Sequence, residues 1–239
     1  MATKLALHPA DPLSISQRVG HSSVDALFPW QISQRLDARF SANYQGNIYL
    51  EHNRSANIPA DKNCALFITG LPPTITVHTL LATIRNIGRV FAVYINTPEP
   101  DRGKCTCAAK IIFFERQAAE RFQERCQNGL HIPGHPFPAR VVWNRIGSAA
   151  ADTPPYVTRV LMISGPPHIV NGAALAAHFR PRFDIEVDEV LEHGATNHQA
   201  LVELRFESYR CQAEVARIAL MREHGDVVRV YFGPDPCAV

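Results

Sequence analysis

The sequence predicts an α+β fold in which one structural unit occurs twice along the chain. Strand and helix patterns follow in the order strand, helix, strand, strand, helix, strand over residues 62–147 and again over residues 156–234. The units also share sequence, since Leu66-Phe67-Ile68-Thr69-Gly70 is matched 95 positions later by Leu161-Met162-Ile163-Ser164-Gly165. Two tandem copies of a ferredoxin-like βαββαβ sandwich are the simplest explanation.

Composition divides the chain into five segments. Residues 1–61 mix polar residues with isolated apolar ones and show no sustained period, which predicts a disordered N-terminal tail. The Ala- and Pro-containing segment 148–155 predicts a linker. Domain 1 then covers residues 62–147, domain 2 covers residues 156–234, and a C-terminal tail covers residues 235–239.

In domain 1, local patterns predict each element. A strand at Leu66–Leu71 stops at two prolines, and Thr76 then caps a helix that is expected to run to Gly88. The remaining elements are predicted in the order strand 89–96, polar loop, strand 105–114, helix ending at Asn128-Gly129, and strand 139–145.

Domain 2 repeats this order. Its predicted elements are strand 159–165, helix 172–179, strands 185–191 and 199–206, helix 209–224 and strand 227–232. In the last helix, Val215, Ile218 and Ala219 are expected to pack in the core.

The net charge of +2 is unevenly distributed. Residues 62–151 contain eleven Lys and Arg against five Asp and Glu, a net charge of +6. Residues 152–239 contain eight against twelve, a net charge of −4. The first domain is therefore expected to attract phosphate groups and the second to repel them.

Several classes of protein are not supported by the sequence. No apolar run approaches the roughly 20 residues of a membrane-spanning helix, and the first residues lack the pattern of a secretory signal. We therefore expect a protein of the nucleus or the cytoplasm, not a secreted one, with no membrane partner. Without a Lys/Arg-rich import cluster, the choice between those two compartments stays open.

No catalytic or metal-binding pattern is present. The six cysteines lack paired C-x-x-C spacing, the eleven histidines are scattered, and neither G-x-S-x-G nor GxxxxGK[ST] occurs. The sequence predicts no enzyme activity, no catalytic residues, no metal site, no cofactor and no small-molecule substrate.

Residues 62–147 resemble an RNA recognition motif (RRM), and residues 156–234 resemble a more divergent copy. The resemblance depends on the order of elements, the first strand and the third-strand segment Thr106–Phe113. Asn57-Ile58-Pro59 and Phe232–Cys237 also resemble segments of uncharacterised fungal proteins of RRM type. The resemblance implies single-stranded RNA as the partner, bound on the sheet face that points away from the helices.

The resemblance also implies a set of RNA-binding residues on domain 1. If Leu66, Ile68, Ile111 and Phe113 face the core, alternate residues point outward. The implied set is Phe67, Thr69, Tyr94, Lys110, Arg140, Val142, Asn144 and Arg145. Aromatic members of the set are expected to stack on bases and basic members to contact phosphate. A one-residue slip in register would reverse these assignments.

Both copies depart from the RRM pattern. On the third strand of domain 1, the two outward aromatic residues of the motif are replaced by Ala108 and Lys110. At roughly 1–3 kcal/mol per stacked base, this loss would weaken RNA binding substantially. In domain 2 the corresponding outward residues include no aromatic ring: Met162, Ser164, Leu201, Glu203 and Arg205. This domain is expected to be accessory or to bind a protein.

Two functions therefore remain open. In the first, domain 1 binds single-stranded RNA, as Phe67 and the charge of +6 suggest. In the second, both units are degenerate and the protein is an interaction scaffold with little or no RNA binding. An outward Phe67 could also be covered by the N-terminal segment or by the linker. Positive charge confined to the helices would count against RNA binding.

Overall fold

The computed structural model describes residues 58–183 and 185–239. Residues 1–57 of the predicted disordered tail lie outside the described part of the chain. Domain 1 contains β1 (Ala65–Leu71), α1 (Val77–Ala82), β2 (Val90–Asn96), β3 (Cys107–Phe113), α2 (Arg116–Arg125) and β4 (Arg140–Trp143). Domain 2 contains β5 (Val160–Gly165), α3 (Gly172–Phe179), β6 (Val187–Ala195), β7 (Ala200–Phe206), α4 (Glu214–His224) and β8 (Arg229–Phe232). A π-helical turn, Tyr209–Ala213, precedes α4.

Each domain contains one four-stranded antiparallel sheet. The strand orders are β2-β3-β1-β4 and β6-β7-β5-β8, so that corresponding strands occupy corresponding places. The predicted α+β fold with two tandem βαββαβ units is confirmed. None of the described helices has the length and apolar composition needed to cross a membrane.

The strand register of domain 1 agrees with the predicted alternation. Leu66, Ile68, Ile111 and Phe113 are fully buried in one cluster with apolar residues of both helices. A bulge separates Val90 from the rest of β2, which lets the strand keep its apolar residues on the inner face on both sides of the irregularity.

The first helix is shorter than predicted. Thr76 caps it as expected, with its hydroxyl accepting a hydrogen bond from the Thr79 amide at 3.1 Å. However, α1 ends at Ala82, and the amides of Ile87 and Gly88 donate to the Cys237 carbonyl at 2.9 and 2.8 Å. A contact with the C-terminal segment therefore replaces the last turns of the predicted helix.

The prediction that Val215 and Ile218 pack in the core is wrong. These side chains are 38% and 51% exposed, whereas Ala216, Ala219 and Leu220 are buried. The π-helical turn before α4 has more residues per turn than an α-helix, which changes the face that α4 presents to its sheet.

The predicted C-terminal tail packs against domain 1. Cys237 is fully buried and belongs to the domain 1 core cluster. Beside it, Asp235 is also buried, and one of its carboxylate oxygens accepts a hydrogen bond from the Val90 amide of β2 at 2.8 Å. Residues at the end of the chain thus complete the core of the first domain.

Arg159, immediately before β5, is fully buried and organises the contact between the domains. Its guanidinium donates to Asp188 at 3.0 Å and to Asp235 at 3.2 Å. Burial favours the neutral guanidinium, but the carboxylates of Asp235 and Asp188 outweigh it and raise the pKa of Arg159. Since Asp235 contacts Val90 and Asp188 contacts His78 of α1 at 3.0 Å, the network reaches both domains.

Candidate nucleic-acid interface

The outer face of the domain 1 sheet has a cross-strand row of four side chains. The register pairs Tyr94 with Lys110, Lys110 with Phe67, and Phe67 with Val142. Directly paired side chains of an antiparallel sheet lie about 4.5–5.5 Å apart at Cβ. The register thus brings together half of the predicted RNA-binding set, and we call these four residues the central row.

A second row lies beside the central row. In it, Asn96 pairs with Ala108, and Thr69 pairs with both Ala108 and Arg140. Phe67 of the central row, together with Thr69, Asn96 and Ala108 of the second row, lines a groove of about 860 Å³, which extends to Lys104 in the loop between β2 and β3. Asn96 and Lys104 were absent from the predicted set, although the alternation of β2 already placed Asn96 on the same face as Tyr94.

The central row contains a partly desolvated cation between two rings. Burial lowers the pKa of Lys110, and this residue forms no ion pair within the described part of the chain. Tyr94 is 38% exposed. Burial, together with nearby Cys211 and Glu207, raises the Tyr94 pKa to about 12, so its hydroxyl stays protonated.

Asn144 and Arg145 do not join the rows. The predicted strand includes both residues, but β4 ends at Trp143. The Asn144 side-chain oxygen accepts a hydrogen bond from the Ile146 amide at 3.1 Å, and its backbone carbonyl accepts one from the Asn63 side chain at 2.9 Å. These bonds use Asn144 to shape the turn, and Arg145 is half-buried beside it.

Another part of the same outer face is buried. Ala65, Ala92 and Ile112 pair across three strands and are almost fully buried, although they point away from the helices. Ser148 and Ala151 of the linker form backbone hydrogen bonds with residues that flank β1 and β3. The linker therefore runs beside this patch, Phe91 packs against the patch, and the central row lies outside it.

No protein-family model and no curated protein matches the sequence. The solved structure of the Sex-lethal RNA recognition domains 1 and 2 from Drosophila melanogaster is 18% identical to this chain, with a TM-score of 0.28. The match covers 72% of this chain and 100% of that chain. The structure of the first two RRM domains of yeast poly(U) binding protein is 16% identical to this chain, with a TM-score of 0.30. That match covers 72% of this chain and 99% of the other.

The arrangement of elements within each domain decides the fold. Apolar residues of two helices pack on the inner face of a sheet whose order is β2-β3-β1-β4 or its counterpart β6-β7-β5-β8. Both domains have the RRM fold. As labels for this fold alone, RRM 1 denotes domain 1 and RRM 2 denotes domain 2.

Much of the positive charge of RRM 1 is used away from the sheet face. Four arginines donate hydrogen bonds to backbone carbonyl oxygens: Arg89, Arg116, Arg121 and Arg125. Three of them lie on α2, and the Arg116 guanidinium also lies 3.7 Å from the ring centre of Trp143. Lys110 and Arg140 are the cations of the two rows. The net charge of +6 therefore overstates the charge available on the outer face.

The outer face of RRM 2 is chemically different. Arg205 donates a hydrogen bond to Glu203 at 2.6 Å and also pairs with Glu189, so carboxylates neutralise this cation. Tyr231 on β8 is 64% exposed and pairs with Met162. The predicted outward residues of this domain lie on the two central strands and do not include Tyr231, although the alternation of β8 places its ring on the outer face.

Proposed function

We propose that RRM 1 binds single-stranded RNA across its outer sheet face without catalysing a reaction, and that RRM 2 is accessory. The central row supports this proposal, because Lys110 lies between the rings of Phe67 and Tyr94. Aromatic rings stack on bases of any sequence, and a lysine interacts with phosphate. The row thus combines the two kinds of contact that a single strand accepts.

The expected affinity is moderate. Each stacked base contributes about 1–3 kcal/mol, and the central row of RRM 1 has two rings, whereas the motif supplies further aromatic residues on β3. Ala108 and Lys110 occupy those β3 positions. Binding is therefore expected to depend strongly on Phe67 and on salt concentration.

The accessory assignment of RRM 2 rests on its charges. Arg205 is neutralised by Glu203 and Glu189, and RRM 2 is acidic overall. Phosphate would meet carboxylates on this face, which disfavours a second RNA-binding sheet.

The proposal is tested by titrating labelled short single-stranded RNA of degenerate sequence and following fluorescence anisotropy. The full-length chain is needed because Cys237 belongs to the RRM 1 core. We expect binding that weakens between about 50 and about 200 mM salt. Replacing Phe67 with alanine is expected to weaken binding about tenfold or more, as the loss of one stacked base would.

Tyr231→Ala is the matched control, since it removes an exposed ring from the corresponding sheet of RRM 2. It is expected to leave the affinity unchanged. Wild-type protein that does not bind below about 100 μM at low salt would contradict the proposal. Equal affinities of Phe67→Ala and wild type would contradict the role of the central row.

A second candidate function is a protein contact through RRM 2. Val215, Ile218 and Met221 on α4 are 38%, 51% and 42% exposed, and they lie on neighbouring positions of one helix face. An aspartate at position 218 would place a charge at the centre of this face. A protein retained by the wild type and lost by Ile218→Asp in a pull-down would support this function, whereas identical retained proteins would count against it.

A further inference from the structure

A pocket of about 350 Å³ lies where the linker meets both domains. Phe91 and Ile112 of RRM 1 form one wall, and Tyr209 and Arg210 of the π-helical turn in RRM 2 form another. Linker residues 148–153 complete the lining. A pocket of this size can enclose a small ring system together with polar contacts.

Tyr209 holds the RRM 2 wall of this pocket against RRM 1. Its ring centre lies 5.7 Å from that of Phe91 and 5.5 Å from that of Phe114. The Val93 amide of β2 also donates a hydrogen bond to the Glu207 carbonyl at 3.0 Å. The pocket is therefore formed before any ligand arrives. π-Helical turns are frequent at functional sites.

Two charged side chains of the pocket lining are available to form hydrogen bonds with a ligand. Arg210 and Asp152 are both exposed, and neither forms an ion pair within the described part of the chain. Together with the Phe91 ring, these groups suit a nucleotide: a ring for the base, acceptors for its edge and a guanidinium for its phosphate.

The pocket is close to the central row. Ile112 follows Lys110 by two residues on the same face of β3, and Ala92 precedes Tyr94 in the same way on β2. Residues with this spacing on a strand lie about 7 Å apart. The pocket therefore lies about one residue pair beyond the central row on both strands, next to the buried side chains of Ala92 and Ile112.

We propose that the pocket binds one base of the RNA strand held by RRM 1. Asp152 accepts a hydrogen bond from an exocyclic amino group of that base, and Arg210 contacts the adjoining phosphate. This assignment rests on the proposed RNA binding of RRM 1. It predicts a preference for a base that has an amino group, such as cytosine or adenine, over uracil.

The test compares short labelled homopolymers of C, A and U on the full-length protein. Wild type is expected to bind oligo-C or oligo-A about five- to tenfold more tightly than oligo-U, as one added hydrogen bond would allow. Asp152→Ala is expected to remove this preference. Arg210→Gln is expected to weaken binding of all three homopolymers and to reduce the salt slope by about 1. Arg180→Gln, an exposed arginine on another part of RRM 2, is the control and is expected to bind like wild type.

The direction of the change in RNA affinity on Asp152→Ala distinguishes a hydrogen bond to the base from repulsion of phosphate. If Asp152 merely repels phosphate, Asp152→Ala would tighten binding of every homopolymer, and that result would overturn the proposal. Arg210→Gln with the affinity of Arg180→Gln would also overturn it. In either case a weaker Phe67→Ala variant would leave RNA binding by RRM 1 intact, whereas a wild type that binds no RNA would overturn both proposals.

Discussion

Replacing Arg159 with methionine removes the buried cation that links the carboxylates between the domains. The side chains of Asp188 and Asp235 are 2% and 0% exposed and would be left without this partner. Breaking a buried ion pair by removing one member costs about 3–5 kcal/mol, because the remaining charge stays buried. We expect Arg159→Met to lower the free energy of unfolding by about this amount.

The assay is urea denaturation followed by far-UV circular dichroism and by tryptophan fluorescence, which includes Trp143 of RRM 1. Arg222→Met is the matched control, since the Arg222 side chain is 73% exposed, and it is expected to change stability by less than about 0.5 kcal/mol. Adding Asp188→Asn and Asp235→Asn to the Arg159 variant is expected to recover part of the loss, because the uncompensated charges are then absent. A loss for Arg159→Met no larger than that of Arg222→Met would refute the reasoning.

Three further predictions concern a carboxyl group, a glycine and the thiols. Burial, followed by nearby Glu186, raises the pKa of Glu207 to about 7. The folded protein is therefore expected to lose stability as the pH rises towards that value and Glu207 ionises. In differential scanning fluorimetry, Glu207→Gln is expected to raise Tm by about 2–4 °C at about pH 8 and by less at about pH 5. Gly129 has φ +90°, and a Cβ there would lie 2.6 Å from the Pro138 side chain. In urea denaturation, Gly129→Ala is therefore expected to lower the free energy of unfolding by about 2–4 kcal/mol. Gly134→Ala is expected to lower it by about 1 kcal/mol, because φ there is +77° but the surrounding space is open. Ellman's reagent is expected to modify two thiols rapidly, those of Cys105 and Cys211, because the other four are buried and burial raises the pKa of Cys237 to about 12.

Each of these predictions has a contrary result. A Tm gain for Glu207→Gln that is no larger at about pH 8 than at about pH 5 would show that ionised Glu207 does not destabilise the fold. Equal losses for the two glycine variants would show that contact with Pro138 contributes nothing. A third rapidly modified thiol would show that a cysteine described as buried is accessible in solution.

The sequence by itself determined the order of elements and the outer face of RRM 1. Side chains on a strand alternate between two faces, so the buried set of Leu66, Ile68 and Ile111 placed Phe67 and Lys110 outward. These features depend on neighbours along the chain, which local patterns record.

Only the tertiary structure decided which parts of that face stay accessible and how the domains meet. Ala65 and Ile112 are buried on the outer face beside Phe91, the turn after β4 uses Asn144, and the Cys237 carbonyl accepts hydrogen bonds from Ile87 and Gly88 where the last turns of α1 were predicted. The position of Arg210 beside Ile112 likewise requires both domains. Each of these contacts joins residues that are far apart in the chain, and no local period records such a contact because its free energy depends on both partners at once.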